Sequence, residues 1–159
     1  MRYSPANYYL PHESPMVMIE KVHLITDEQC ICSVQVSKTS VLAPFLNSDY
    51  SLSNFYAIEL MAQTIGVWNG YYGLMKNSKP VLGMLLGGRS IKTTLQNFPH
   101  NCRLMIHTNL VLNDARLANF DCNIMIDEQC VATGKLNVYE PTLSELDQLF
   151  GKTRLGEEE

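Results

Sequence analysis

The sequence lacks any run of lysines or arginines that could neutralise a row of phosphates. It has 159 residues, with 12 basic and 16 acidic side chains and a formal net charge of −4. Proteins that bind nucleic acid ordinarily carry a basic patch or stripe, so we do not expect nucleic acid as a partner. The length suits one sizeable core better than two. We expect a single domain over residues 1–150 and a disordered tail over 151–159.

The sequence also lacks a secretory signal and an uninterrupted apolar run. Arg2 is followed by polar residues and Pro5 before any apolar stretch, which predicts a cytoplasmic protein. The longest mostly apolar segment contains Glu59, Gln63, Asn69 and several glycines. Because these residues are costly in a bilayer, we expect no membrane association. The segment is better interpreted as the core helix of a soluble protein.

No cysteine spacing typical of a metal site is present. The cysteines are five in number, and several occupy alternating positions in strand-like segments: Cys30, Cys32, Cys102, Cys122 and Cys130. An odd number without ligand spacing favours buried free thiols over a metal site or a nucleophile. The sequence also contains neither a nucleophile elbow nor a glycine-rich phosphate loop.

One long segment, residues 53–76, is apolar on every face of a helix. Ser53 or Asn54 can serve as its N-cap, and a helix that is apolar all round must be enclosed by other elements. Three glycines recur toward its C-terminal half: Gly66, Gly70 and Gly73. Each costs about 1 kcal/mol relative to alanine but allows a neighbouring backbone to approach closely. We therefore expect tight packing at this part of the helix.

Strand-like segments lie on both sides of this helix in the sequence. Two precede it, at 16–25 and 30–36, and four follow it, at 81–94, 102–113, 116–126 and 130–139. Runs of strands around a single helix favour an antiparallel α+β arrangement over alternating parallel units. Residues 142–150 have the pattern of a short amphipathic helix.

Glu59 is the first candidate for chemistry, because it is the only charged residue between Asp49 and Lys76. Burying an ionised carboxylate is costly, so a glutamic acid inside a core helix is suited to act as a general acid. From an N-cap at Ser53, Glu59 lies too far along the helix for a capping box. A buried structural hydrogen bond remains the alternative.

Gln63, one turn later, is placed to orient the carboxyl group or a water.

Two further features suit a thioester or acyl site. His12 lies in a loop held between Pro11 and Pro15, which can position an imidazole; a structural hydrogen-bonding role is equally compatible. Gly87 and Gly88 interrupt a strand, either to allow a bulge or to let backbone N–H groups approach a ligand carbonyl.

Aromatic side chains on the helix offer a possible pocket wall. Trp68, Tyr71 and Tyr72 could line a pocket for flat conjugated groups, although core packing explains them equally well.

The motifs resemble those of the 3-hydroxyacyl-acyl-carrier-protein dehydratases of the hotdog superfamily. Leu-Pro-His-Glu-Ser-Pro at 10–15 resembles the Leu-Pro-His-x-x-Pro lead-in of the FabZ family, and Glu-Leu-Met-Ala-Gln at 59–63 resembles its central-helix signature. Gly87-Gly88 followed by Phe98-Pro99 resembles its glycine-bearing strand and the following turn. This resemblance spans roughly residues 8–139.

A more specific resemblance is to the ApeP-type dehydratase family of aryl polyene biosynthesis. It adds Ser-Val-Leu-Ala-Pro-Phe-Leu at 40–46 and Gly-Met-Leu-Leu-Gly at 83–87 to the lead-in and the helix motif. One departure concerns the Gly-His-Phe-Pro loop that provides the catalytic histidine in FabZ-type enzymes. The corresponding stretch, residues 44–50, contains no histidine.

The resemblance implies roles for the candidate residues. Glu59 takes the part of the catalytic carboxyl, and His12 replaces the missing loop histidine, although Glu59 alone could also shuttle the proton. Gln63 supports Glu59, and a backbone N–H of Gly87 or Gly88 polarises the thioester carbonyl. Independently of the resemblance, Trp68 and Tyr72 are the candidates for the pocket wall.

The resemblance also implies a hotdog fold, in which a long central helix is wrapped by an antiparallel sheet of about six strands. The expected activity is that of a lyase that dehydrates 3-hydroxyacyl thioesters on acyl carrier protein, in fatty-acid-like or aryl polyene biosynthesis. No metal or bound cofactor is expected, since the phosphopantetheine of the carrier supplies the substrate arm. We expect a homodimer, or a heterodimer with another hotdog subunit. An acyl thioesterase and a non-catalytic hotdog partner subunit are the alternatives.

Overall fold

The computed structural model describes residues 2–75, 84–114, 116–140 and 142–148. Its strands are, in chain order, β1 (Lys21–Ile25), β2 (Gln29–Gln35), β3 (Leu52–Ser53), β4 (Met84–Thr93), β5 (Asn97–Phe98), β6 (Arg103–Asp114), β7 (Leu117–Ile126) and β8 (Gln129–Tyr139). The helices are α1 (Ala57–Met75) and α2 (Leu143–Leu146), and three single 3₁₀ turns lie at Ala6–Tyr9, Ala43–Phe45 and Asn54–Tyr56.

Six of the strands form one antiparallel sheet, and the long helix α1 packs against it. The strand order is β1-β2-β6-β7-β8-β4, and β3 pairs with β5 in a separate two-stranded sheet. The predicted α+β hotdog architecture, with one long helix and about six strands, is confirmed. Within the described ranges, no helix has the length and apolar character needed to cross a membrane.

Strict alternation along the strands builds the face of the sheet that meets α1. Side chains of a strand point to opposite faces, so every second residue can enter the core. The buried members from the three central strands are Cys30, Cys32, Val34, Leu104, Ile106, Thr108, Phe120, Cys122 and Ile124. They pack with the buried helix residues Leu60, Met61, Ile65 and Val67. Most of the residues that alternate with them, on the opposite face of the sheet, are polar or charged.

Two predicted boundaries before α1 are wrong. The first strand begins at Lys21 rather than at residue 16, because the backbone at Met16 and Met18 bonds to the Gln63 side chain instead of to a neighbouring strand. The helix begins at Ala57, since the preceding residues form a 3₁₀ turn. Ser53 does act as a cap, but of that turn: its Oγ accepts a hydrogen bond from the Phe55 backbone N–H at 3.2 Å.

Several predictions fall partly outside the described residues. The last residue of the predicted helix, residue 76, and the start of the predicted strand at 81 lie in the undescribed range 76–83. The predicted C-terminal helix is present as the single turn of α2, whereas residues 149–159 are not described. The single domain over 1–150 and the disordered tail therefore stay predictions.

The five cysteines are free thiols in a range of environments. Cys30, Cys32 and Cys122 are buried as predicted, whereas Cys102 is half-buried and Cys130 is exposed, so the expectation of burial is wrong for these two. Loss of solvent raises the pKa of the Cys122 thiol to about 12 and that of Cys102 to about 11. Because the thiolate is the nucleophile, the raised pKa makes these two groups poor nucleophiles at neutral pH.

Residues 2–10, which we call the N-terminal strap, cross α1 at two of its glycines. A Cβ on Gly70 would overlap the carbonyl oxygen of Tyr9, and a Cβ on Gly66 would lie 2.9 Å from Leu10 Cδ2. The tight packing predicted for this part of the helix is therefore confirmed.

Candidate active site

A cavity of about 540 Å³ opens at the N-terminal end of α1 and contains the carboxyl group of Glu59. The other residues of its wall are mostly apolar: Met16, Met18, Phe45, Asn54, Phe55, Tyr56, Ile58, Ile91 and Thr93. A concave apolar space with few polar groups is typical of a small-molecule site. The arrangement suits a hydrocarbon chain bound beside one acid–base group.

The Glu59 side chain is less enclosed than its position in a core helix predicts. It is 45% exposed in the single chain, so the expectation of a fully enclosed helix is wrong at this end. The cavity at the N-terminal end of α1 opens to solvent beside this side chain, although Ile91 and Thr93 of the sheet form part of its wall. Two large apolar side chains stand at this opening, Phe55 and Met16, which are 81% and 56% exposed.

Gln63 fixes the Glu59 carboxyl group from one helical turn away. Its Nε2 donates to Glu59 Oε1 at 2.9 Å and to the Met16 carbonyl at 2.8 Å, while its Oε1 accepts from the Met18 N–H at 2.8 Å. The Met18 bond determines which end of the amide carries the NH₂ group. Because Glu59 Oε1 accepts from this amide, Oε2 is the carboxyl oxygen left to exchange a proton with a substrate.

The structure brings His12 and Glu59 together, although 46 residues separate them in the chain. His12 Nε2 lies 3.9 Å from Glu59 Oε1, and the imidazole is 29% exposed. Its Nδ1 is buried, with no hydrogen-bond partner among the described residues. The separation is too long for a direct hydrogen bond, but it leaves both polar atoms within reach of one substrate group placed between them.

His12 also lines a second cavity, of about 810 Å³, on the far side of the segment 15–19. Pro15, Val17 and Ile19 face this second cavity, whereas the alternate residues Met16 and Met18 face Glu59. The extended segment is therefore the wall between the two spaces. The His12 imidazole lines the 810 Å³ cavity, while its Nε2 lies near the carboxyl group of Glu59, which lines the 540 Å³ cavity.

Gly87 and Gly88 lie on β4, at an irregularity of the sheet. Gly87 pairs with Asn137 of β8, and the register shifts between Leu85 and Gly87, as in a β-bulge. A Cβ on Gly87 would meet nothing within 4 Å, so the space beside it is open. Among the described residues, β4 contributes Ile91 and Thr93 to the wall around Glu59. The role of the two glycines as carbonyl donors stays a prediction.

Trp68 and Tyr72 make the contacts of core-packing aromatics. Trp68 packs edge-to-face on Phe120 with ring centroids 5.5 Å apart, and its Nε1 donates to the Thr26 carbonyl at 2.9 Å. The Tyr72 hydroxyl donates to Asp27 Oδ1 at 3.1 Å, and desolvation followed by this bond raises its pKa to about 12. Both side chains hold the β1–β2 turn against α1. Their pocket role stays a prediction.

Sequence reasoning missed most of the apolar wall of the site. Phe45, Phe55 and Ile91 come from three separate segments, and a single apolar residue in a turn or at a strand edge carries no signal of its own. The most accessible hint was Phe55, which lies two residues after the capping residue Ser53 and directly after Asn54.

Comparisons with known proteins identify the family of the chain. Residues 4–151 match the sequence profile of the ApeP-like family, described as ApeP dehydratase. The structure of the dehydratase heterocomplex ApeI:P from Xenorhabdus doucetiae matches with a TM-score of 0.88 and 43% identity, over 94% of this chain and 99% of that chain. The 3-hydroxyacyl-[acyl-carrier-protein] dehydratase FabZ of Psychrobacter arcticus is 19% identical over 142 residues, which is 87% of this chain and 95% of that protein.

A more distant structural match shows how widely the fold is shared. A hypothetical thioesterase with coenzyme A from Streptococcus pneumoniae matches with a TM-score of 0.58 and 17% identity, over 76% of this chain and 86% of that chain. At this identity the match shows the fold alone.

Fold and family together define a dehydratase of the hotdog type, a lyase. The chain belongs to the ApeP-like family.

Proposed function

We propose that the protein dehydrates 3-hydroxyacyl thioesters, carried on an acyl carrier protein, to enoyl thioesters in aryl polyene or fatty-acid-like biosynthesis. The observation that carries this proposal is the 3.9 Å approach of His12 Nε2 to Glu59 Oε1 beside an apolar cavity. Membership of a dehydratase family and the name of the Psychrobacter arcticus relative support the substrate class.

The reaction requires a base and an acid on neighbouring carbons of the substrate. His12 Nε2 removes the proton from C2, next to the thioester carbonyl, and the electrons of that C–H bond form the C2=C3 double bond. The C3–O bond breaks, and Glu59 gives the proton on Oε2 to the departing hydroxyl, which leaves as water. A backbone N–H of Gly87 or Gly88 stabilises the charge that develops on the thioester oxygen.

The short separation of the two groups also closes the proton cycle. After elimination His12 holds the proton from C2, and Glu59 has lost one. Because 3.9 Å is too long for a direct hydrogen bond, the proton returns from the imidazole to the carboxylate through the water just released. No bound cofactor is needed, because the phosphopantetheine arm of the carrier delivers the thioester.

The open side of the cavity supports a second hotdog subunit as partner. Phe55 and Met16 expose large apolar surfaces next to the catalytic carboxyl, and such a patch is typical of a protein interface. The matching structure from Xenorhabdus doucetiae is a heterocomplex, which favours a heterodimer over a homodimer.

Mass spectrometry on carrier-bound substrate tests the proposal. The 3-hydroxyacyl carrier protein is incubated with the protein alone and with a second hotdog dehydratase subunit. Loss of water from the acyl group is expected, and Glu59→Gln should lower the rate about 10²–10⁴-fold. Glu13→Gln is the matched control, because Glu13 is an exposed carboxylate of the His12 loop and lies outside the Glu59 cavity.

Two outcomes would contradict the proposal. Release of the free acid would indicate a thioesterase, and an unchanged substrate under both conditions would indicate a non-catalytic subunit. A His12→Ala variant with the wild-type rate would remove His12 from the mechanism and leave Glu59 as the sole acid–base group.

A further inference from the structure

We infer that Gly66 and Gly70 are positioning residues for catalysis: they seat the N-terminal strap on α1 so that His12 is held at Glu59. The inference rests on the proposed function, in which His12 and Glu59 act as a pair. Neither glycine touches the substrate cavity, and both act through the strap.

The four residues involved form one stripe along α1. Glu59, Gln63, Gly66 and Gly70 follow the i, i+4, i+7, i+11 spacing that places residues on one face of a helix. The lead-in runs along this face in the opposite direction. Tyr9 lies on Gly70, Leu10 lies on Gly66, and His12 reaches Glu59.

Contact at the two glycines leaves no room for a side chain. A Cβ on Gly70 would overlap the Tyr9 carbonyl oxygen and lie 2.8 Å from the Tyr9 carbonyl carbon. Since both are backbone atoms, the strap itself would have to move. A Cβ on Gly66 would lie 2.9 Å from Leu10 Cδ2, the far end of a flexible side chain, so the displacement there is smaller.

The strap is attached at its other side to β1 and to Glu20, the residue before it. The Ala6 N–H donates to the Glu20 carbonyl at 3.0 Å, and the Tyr3 hydroxyl accepts from the Ile25 N–H at 3.1 Å. Tyr9 is buried and packs edge-to-face on Tyr71 of α1, with ring centroids 5.9 Å apart. The strap is therefore held between the helix and the edge of the sheet. The contacts at Gly66 and Gly70 determine how closely it approaches α1.

The chain between the two glycine contacts and the His12 imidazole has little conformational freedom. Leu10 is extended, with φ −103° and ψ 144°, and the ring of Pro11 locks its own φ. A shift of the strap is therefore passed on to His12, two residues beyond Leu10. Misplacement of a reacting group by about 1 Å can cost on the order of 100-fold in rate.

The test compares Gly66→Ala and Gly70→Ala with a core variant that leaves the strap alone. Ile124→Val is that control, because Ile124 is buried in the sheet on β7 and its loss of one methyl lowers stability without touching the strap. The assay is dehydration of the carrier-bound substrate by the complete active assembly. The ring signals of His12 are followed by NMR over a pH range in parallel.

We expect Gly66→Ala to lower kcat about tenfold with little change in KM, and to change the His12 signals and the pH profile of kcat. Gly70→Ala should lower kcat more than Gly66→Ala does, because its new methyl group would meet backbone atoms of Tyr9. Adding Leu10→Ala to Gly66→Ala should restore both the rate and the His12 signals, because it removes the atom that the new methyl meets. Ile124→Val should change neither.

Unchanged His12 signals and unchanged kcat in Gly66→Ala would overturn the inference, as would a lower rate that Leu10→Ala fails to restore. If His12→Ala proves fully active, the proposed base is wrong, but the His12 signals in Gly66→Ala still report whether the glycines position the loop. The two failures are therefore distinguishable.

Discussion

Gln63 Nε2 lies 2.9 Å from Glu59 Oε1 and donates a hydrogen bond to it. The same amide is bonded at both ends to the backbone of Met16 and Met18, and Gln63 is only 1% exposed. The carboxyl group is therefore tied, through one buried amide, to the segment that follows the His12 loop. The acid and the histidine loop are built as one unit.

Replacing Gln63 by alanine should impair catalysis more than binding. The Glu59 carboxyl loses its donor, and a hydrogen bond to a charged group is worth about 1.5–3 kcal/mol, so we expect kcat to fall about 10–100-fold. Thr64→Val is the matched control, since Thr64 is buried on the same helix and bonds only to the Leu60 carbonyl. Steady-state kinetics should show a loss for Gln63→Ala alone; equal losses in the two variants would assign the effect to stability.

Replacing Phe55 by aspartate should weaken subunit association. Phe55 is 81% exposed at the mouth of the Glu59 cavity, and burial of a phenylalanine is worth about 1.5–3 kcal/mol, which corresponds to about 10–100-fold in Kd. Leu112→Asp is the control, because Leu112 is 54% exposed on β6, outside the cavity wall. Light scattering across a dilution series measures the change. A dimer that tolerates Phe55→Asp but not Leu112→Asp would place the interface elsewhere.

The pKa of His23 should depend on the positive charge of Arg103. Burial, then Arg103 and Lys21, hold its pKa below the ordinary 6.5. As the pH falls through 6.5, the unfolded chain therefore binds a proton before the folded protein does, and the stability contributed by neutral His23 is lost progressively down to its folded pKa. Arg103→Gln should raise the His23 pKa and reduce this acid sensitivity.

An NMR titration of the histidines checks this prediction within one sample. The pKa of His107 is lowered by burial alone, so it should not move in Arg103→Gln. A His23 pKa that stays the same in this variant would mean that the guanidinium does not influence the imidazole.

The β7–β8 turn should accept a stabilising glycine. Asp127 and Glu128 have φ values of 47° and 69°, a left-handed conformation that two-residue hairpin turns require and that glycine adopts without strain. We expect Glu128→Gly to raise the free energy of unfolding by about 0.5–1 kcal/mol. Gln129→Gly, one residue later in β8, should instead lower it by a similar amount. Urea unfolding of the two variants measures both changes in the free energy of unfolding.

The order of elements could be predicted from the sequence because its signals are local. Alternation in β6, β7 and β8 follows from the side-chain period of two in a strand, and the all-round apolar pattern of α1 follows from enclosure on most sides. The polar turns between β7 and β8 and between β1 and β2 needed no knowledge of distant residues. Glu59 could be chosen for the same reason, since it is a solitary charge in an apolar segment.

The parts that could not be predicted depend on contacts between distant segments. Residues 16–19 have the pattern of a strand, yet their backbone is bonded in part to Gln63, which lies some 45 residues later. Trp68 and Tyr72 looked equally suited to a pocket or a core, and only the positions of Phe120 and the β1–β2 turn showed which contacts they make.

The sequence by itself determined the layers of this protein, because the periods of helices and strands depend on neighbouring residues. It also pointed to Glu59, because a single carboxyl group in an apolar segment is recognised from its neighbours. Only the tertiary structure decided that His12 meets Glu59, that Gly66 and Gly70 receive the strap, and that the acid opens to an apolar cavity. Those arrangements depend on the path of the chain through space, which packing of distant surfaces selects.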